Sequence, residues 1–169
     1  VVSSGVTLPT PATVNLPVDS SADWEAVEGM SVVVRATSGD LSVTDVYNLA
    51  KYGEVILSSD GRLRSFTQDN TPDVAGYAAY PATLANRSFT LDDGSSKSYP
   101  STVVQPKGNL SFDNTLRAGD TISQVTGAVS YSYSKFRVQT REGFDFTKTN
   151  ARTDMPEDVG GTLKVAAFN

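Results

Sequence analysis

The 169-residue sequence predicts an all-β domain. Apolar residues recur with the two-residue period of a half-buried strand, the intervals between them are tight turns rich in Gly, Asp and Ser, and helical periodicity is almost absent. A chain of this length suits one domain, which buries about 70% of its unfolded surface and needs no staples.

Taken in order, residues 1–22 are rich in Pro, Ser and Thr. Pro9, Pro11 and Pro17 are spaced so that no helix propagates, and the stretch reads as an extended entry segment or linker. Met30, Val32, Val34 and Ala36 then alternate with Ser31, Val33, Arg35 and Thr37. Ser38-Gly39-Asp40 supplies a turn and Leu41, Val43 and Asp45 restart the alternation, which predicts a hairpin. Residues 46–53 form a short irregular crossover, and Glu54 to Leu57 is a third strand that Leu63 extends beyond the turn at 58–61.

Residues 66–80 read as a polar loop around Asp69-Asn70-Thr71-Pro72-Asp73, and Pro81 to Arg87 as one or two helical turns. Phe89 to Asp92 and Lys97 to Tyr99 flank another hairpin-like turn. Residues 121–139 are the most strand-like, with Val125, Gly127, Val129, Tyr131 and Tyr133 on one face. A reversal at Ser134-Lys135 leads into a strand with Phe136 and Val138 inward and Lys135, Arg137 and Gln139 outward.

Between barrel and sandwich, residues 119–129 decide. A Gly-Asp turn leads into a strand whose Gly127 permits the sharp bend of a small barrel's corner. With Glu28-Gly29-Met30 opening the first strand, the expected architecture is a five-stranded Greek-key OB-like barrel with long loop insertions at 46–53 and 66–87.

Composition excludes several chemistries. The chain has no His and no Cys, so a Ser-His triad, a thiolate nucleophile and the usual zinc ligand sets are all ruled out, and any metal would be a hard cation held by oxygens. The net charge of −5 is uneven: residues 1–60 carry eight acids and two bases, the remainder 11 acids and 12 bases. No apolar run reaches the ~18 residues of a membrane span, and residues 1–12 do not have the pattern of a signal peptide. The start at Val1 and the stop at Asn169 look like cuts in a longer chain.

A family resemblance rests on Leu16-Pro17-Val18, residues 24–30 (WEAVEGM), 41–45 (LSVTD), 47–55 (YNLAKYGEV), 91–94 (LDDG) and 113–120 (DNTLRAGD). With these, the chain resembles the OB-fold-like domain preceding the catalytic domain in large secreted bacterial nucleases of the ExeM type. Residues 161–169 resemble the first strand of an endonuclease/exonuclease/phosphatase domain, in which the closing Asn, here Asn169, faces a metal-phosphate site. Beside the extended entry segment or linker read at 1–22, the resemblance implies 23–141 as barrel and 142–169 as linker and first strand of a catalytic domain. It implies an extracellular location, DNA (single-stranded or non-specific) and the adjacent catalytic domain as partners, no cofactor for this domain, and Mg or Ca for the parent nuclease. Hydrolysis would belong to the parent.

An OB barrel binds strands across its outer face with aromatic platforms and basic residues. The candidates here are Arg62, Arg64, Lys135, Arg137 and Arg141 as a basic stripe, with Tyr47, Tyr52 and Tyr133 for stacking. The acidic loops at 69–73 and 92–96 read first as turns whose side chains cap their own backbone, and second as calcium loops. Trp24 reads as an aromatic plug at a barrel end, ahead of an exposed sugar-stacking residue. The rival functions are a scaffold that orients the catalytic domain, and a carbohydrate- or calcium-binding adhesion module.

Overall fold

The computed structural model describes residues 5, 7–155, 157, 158, 160–163, 165 and 167. Asn169, with Lys164, Ala166 and Phe168 of the expected closing strand, lies outside the described residues. The fold is mostly β. Among the described residues eight strands form one sheet: β1 (Ala12–Leu16), β2 (Ser31–Ala36), β3 (Leu41–Asp45), β4 (Val55–Ser58), β5 (Ser88–Asp92), β6 (Thr121–Ile122), β7 (Gln124–Ser132) and β8 (Lys135–Gln139). Their order is β1-β2-β7-β8-β5-β4-β3-β6. Among these strands, β1–β2 and β5–β8 pair parallel and the other neighbours antiparallel.

The sheet curls because of its connections. Ser123 alone separates β6, the last strand, from β7, the third, so the chain over 121–132 ties one edge of the sheet back to its other half. The concave side holds the core: Val32, Val34, Leu41, Val43, Val55, Leu57, Leu91, Val125, Val129 and Val138 are almost wholly buried. β-branched and Leu side chains at alternate positions fill this space as strand periodicity requires.

Several expectations are corrected. The two strands at 31–45 are not a hairpin: β2 pairs with β7, and β3 pairs with β4 and β6, so residues 37–40 carry the chain across the sheet without reversing it onto itself. Residues 12–16 are not a linker but a strand, β1, with Val14 and Leu16 in the core. Residues 97–99 form no strand, and Tyr99 has a left-handed φ of 52°. Gly127 does not act through an unusual dihedral. A Cβ there would lie 2.4 Å from the Gln139 carbonyl oxygen, so the glycine permits close approach of β7 and β8.

The stretch expected as a polar loop and a brief helix holds α3 (Phe66–Asp69) and the 13-residue α4 (Val74–Asn86). Asp73, read as part of the loop, is the N-cap of α4 and accepts a hydrogen bond from the Gly76 amide at 2.6 Å. Pro81 sits inside the helix, where it removes one backbone donor; five Ala offset this by their high helix propensity. Two shorter helices, α1 (Ser21–Glu25) and α2 (Leu49–Tyr52), complete the fold. A capping box built on Ser20 and Asp23 starts α1 and places Trp24 in the core.

Candidate ligand groove

The outer faces of β4, β5 and β8 position a groove. Register aligns Ile56, Thr90 and Arg137 across the three strands, while Val55, Leu57, Leu91 and Val138 point into the core. Three adjoining hollows include residues of this face, and the third also takes in Phe89 and Phe136, which have the inward parity of the core. The first, of about 550 Å³, includes Asn48, Tyr52, Glu54, Asp92, Ser95, Ser132, Tyr133, Arg137 and Gln139 in its walls. A narrow middle hollow shares Asn48, Glu54 and Arg137 with it and adds Asp45. That hollow shares Ile56, Thr90 and Lys135 with a third of about 610 Å³, walled by Trp24, Leu63, Leu84, Phe89, Tyr131 and Phe136. The groove therefore grades from a polar end to an aromatic end.

At the polar end, Arg137 is only 5% exposed. Its position on the strand is outward, as alternation predicts, yet it is not a solvated cation. Its Nη1 donates to Asp92 Oδ2 at 2.7 Å and also to Glu54 Oε1. Glu54 Oε2 accepts from Asn48 Nδ2 at 3.0 Å and Asp92 Oδ1 from the Gly94 amide at 2.7 Å, so both carboxylates are oriented by further partners. Burial alone would lower the Arg137 pKa. The hydrogen bonds and charges of Glu54 and Asp92 outweigh it and hold the pKa above its ordinary value.

Asp93 is also buried, and burial pushes its carboxyl above the ordinary value. The Ser95 amide, which donates to Asp93 Oδ1, opposes that shift, while the charges of Asp92 and Glu54 add to it. Gly53 makes room for this carboxyl: a Cβ there would lie 2.2 Å from Asp93 Oδ2.

At the aromatic end, Trp24 and Phe136 stack at 6.4 Å with 16° between planes, and Tyr131 lies 4.8 Å from Phe136. The plug reading of Trp24 fits its burial at 4% exposure, and the same ring also contributes to the groove wall. Lys135 is exposed on the groove floor.

The predicted residues are only partly brought together. Lys135, Arg137, Tyr52 and Tyr133 line the groove. Arg62 and Arg64 are exposed on either side of Leu63, which reaches the aromatic end, and Arg64 is paired with Asp69 at 3.0 Å. Arg141 lines a neighbouring hollow with Lys97 and Thr102, which meets the first at Gly94 and Ser95 but does not include Arg137. Tyr47 is 87% exposed and outside the groove lining. The expected stripe is thus interrupted, because Arg137 is neutralised and Arg141 lies elsewhere. Glu54, Asp92, Asn48, Gln139, Tyr131 and Phe136 were missed; Asp92 and Glu54 lie 45 and 83 residues from Arg137, so no local pattern signals the cluster. In the acidic loops, Asp73, Asp92 and Asp93 each accept a backbone amide two or three residues onward, the turn role of these residues. Among the described residues no group of three or more acidic side chains could hold a metal ion. No helix among them is long and apolar enough to cross a membrane.

A family model described as "Domain of unknown function (DUF8508)" matches residues 10–151. The chain belongs to this family. The match takes in every strand of the DUF8508 sheet, from β1 to β8. No curated protein and no solved structure matches the chain.

Proposed function

We propose that the chain is a non-catalytic accessory module built as an OB-like Greek-key barrel, which holds single-stranded DNA beside the metal-dependent phosphodiesterase domain of an extracellular nuclease. The observation that carries the reading is the groove across β4, β5 and β8, with exposed tyrosine at its polar end and an aromatic wall at the other. The connectivity supports the barrel: residues 31–45 bridge from β7 through β2 and β3 to β4, and the circuit β4-β5-β8-β7 is completed by a parallel β5–β8 pair. OB barrels bind strands on this kind of face and in its flanking loops.

Charge in the groove favours base stacking over phosphate tracking. Asp45, Glu54 and Asp92 oppose Arg137 and Lys135, which leaves Lys135 as the one cation in the lining without a carboxylate partner among the described residues. Fluorescence anisotropy of labelled oligothymidine across a salt series tests the reading. The expected result is binding that weakens only gently with salt, with a log–log slope of about −0.7 per phosphate contacted. Absence of binding at low salt overturns it.

One feature favours a second reading, a scaffold for the neighbouring catalytic domain. Helix α4 carries no charged residue and buries none of its side chains, with Val74 88% and Tyr77 65% exposed. An uncharged helix of that kind suits packing against another domain.

A further inference from the structure

We propose that the polar end of the groove is a base-reading pocket that selects guanine. The inference rests on the nucleic-acid reading above and names the chemistry of the ligand at the Arg137–Glu54–Asp92 cluster.

The fold leaves several hydrogen-bonding valences open in this cluster. Arg137 Nη1 is used twice, by Glu54 and Asp92, and Nε donates to the Ser132 carbonyl at 3.4 Å. Its Nη2 makes no hydrogen bond among the described residues, and Arg137 lines the cleft, so the Nη2 hydrogens are the donors left for a ligand. Each carboxylate oxygen of Glu54 and Asp92 has one partner and a further lone pair. Their side chains are 18% and 11% exposed, which makes them a floor within reach of a ligand.

The floor offers one donor group between two acceptors and carries a net charge of −1. A phosphate is the wrong ligand for it. A nucleobase is the right one, since its edge is neutral and carries both kinds of group. Guanine alone presents two adjacent donors, N1–H and the N2 amine, which one carboxylate accepts together, beside an O6 acceptor for an arginine N–H. Tyr133 supplies the platform, for its ring already lies 5.2 Å from the Arg137 Cζ, and Tyr52 stands in the same cleft. A base coplanar with the guanidinium shares that tyrosine face.

The test is anisotropy of the full chain with labelled oligothymidine, oligocytidine, oligoadenine, an alternating guanine–thymine strand, and the same strand with inosine for guanine. The guanine strand is expected to bind about 5- to 100-fold more tightly than the others, and inosine, which lacks the N2 amine, to lose most of that preference. Glu54→Gln is expected to lower the affinity for the guanine strand to that for oligothymidine, with an unchanged far-ultraviolet circular dichroism spectrum showing that the variant is folded; a guanine preference that survives in the folded variant overturns the pocket. Equal affinity for all strands, preference for another base, or inosine equal to guanine overturns the guanine pocket and leaves the nucleic-acid reading standing. No binding to any strand overturns both.

Discussion

The hairpin tip between β7 and β8 stores strain where the groove presents its most exposed tyrosine. Ser132 pairs with Lys135, so Tyr133 and Ser134 form a two-residue loop, and both have left-handed φ, 50° and 60°. Such loops favour Asn-Gly, because an L side chain in this region costs about 1 kcal/mol or more per residue. Tyr133 is 87% exposed, so replacing it forfeits almost no burial. What is lost is its contact over the Arg137 guanidinium, worth about 0.5–1 kcal/mol. The double replacement Tyr133→Asn/Ser134→Gly is therefore expected to stabilise the fold by about 1 kcal/mol, or about 2–4 °C in melting temperature for a domain of this size. The same variant is expected to weaken oligonucleotide binding by about 1–3 kcal/mol, the worth of one stacking platform. Circular dichroism melts and anisotropy on one preparation read both. A lower melting temperature would refute the strain argument, and unchanged binding would remove Tyr133 from the site.

Three further outcomes are expected. Arg137→Leu leaves the Glu54 and Asp92 carboxylates without their cation, at a cost of about 3–5 kcal/mol by urea denaturation, and adding Glu54→Gln with Asp92→Asn recovers most of it; failure of the triple variant to recover would show that the loss is one of packing. Gly127→Ala drives a Cβ into the Gln139 carbonyl at 2.4 Å and is expected to cost about 2–3 kcal/mol, whereas a change within about 0.5 kcal/mol would mean that β8 can shift. Asp93 has a folded-state pKa raised by burial, so its contribution to stability is present below the ordinary value of 3.8 and is lost as pH rises through the folded value. Asp93→Asn should therefore melt higher than the parent at neutral pH, with the gap closing as pH falls below 3.8; a gap independent of pH contradicts the assignment.

How far the fold was legible depended on how local each signal was. β7 and β8 follow from alternation, β4 from its branched residues and β5 from the turn beside it, signals that each segment carries by itself. The two strands at 31–45 were also read correctly as strands, but Ser38-Gly39-Asp40 signals only that the chain turns, not whether it reverses or crosses. Their true partners are far along the chain, β2 with β7 and β3 with β4 and β6. The helix over 74–86 was masked by Pro81 and by an N-cap Asp that belongs equally to turns. Arg137 was placed on the right face and given the wrong environment, because its partners lie 83 and 45 residues away. Alternation reports direction within the pleat; it carries nothing about what the other strands place opposite.

That distinction bears on function. Read as a free cation, Arg137 suggests a stripe that follows phosphates, and its replacement by Glu would be the natural test of binding. Buried at 5% exposure between two carboxylates, the same guanidinium holds β8 to β5 and to the segment leading into β4. A loss of binding on its removal would then report folding as much as contact. Lys135 and Tyr133 are exposed and make no ion pair among the described residues, so their replacement disturbs the fold far less than that of Arg137. A salt slope that falls by about one contact's worth on Lys135→Glu would assign the groove to a phosphate-bearing ligand. An unchanged slope would leave binding to base stacking, and no binding at all would hand the domain to the scaffold reading, with α4 as its contact.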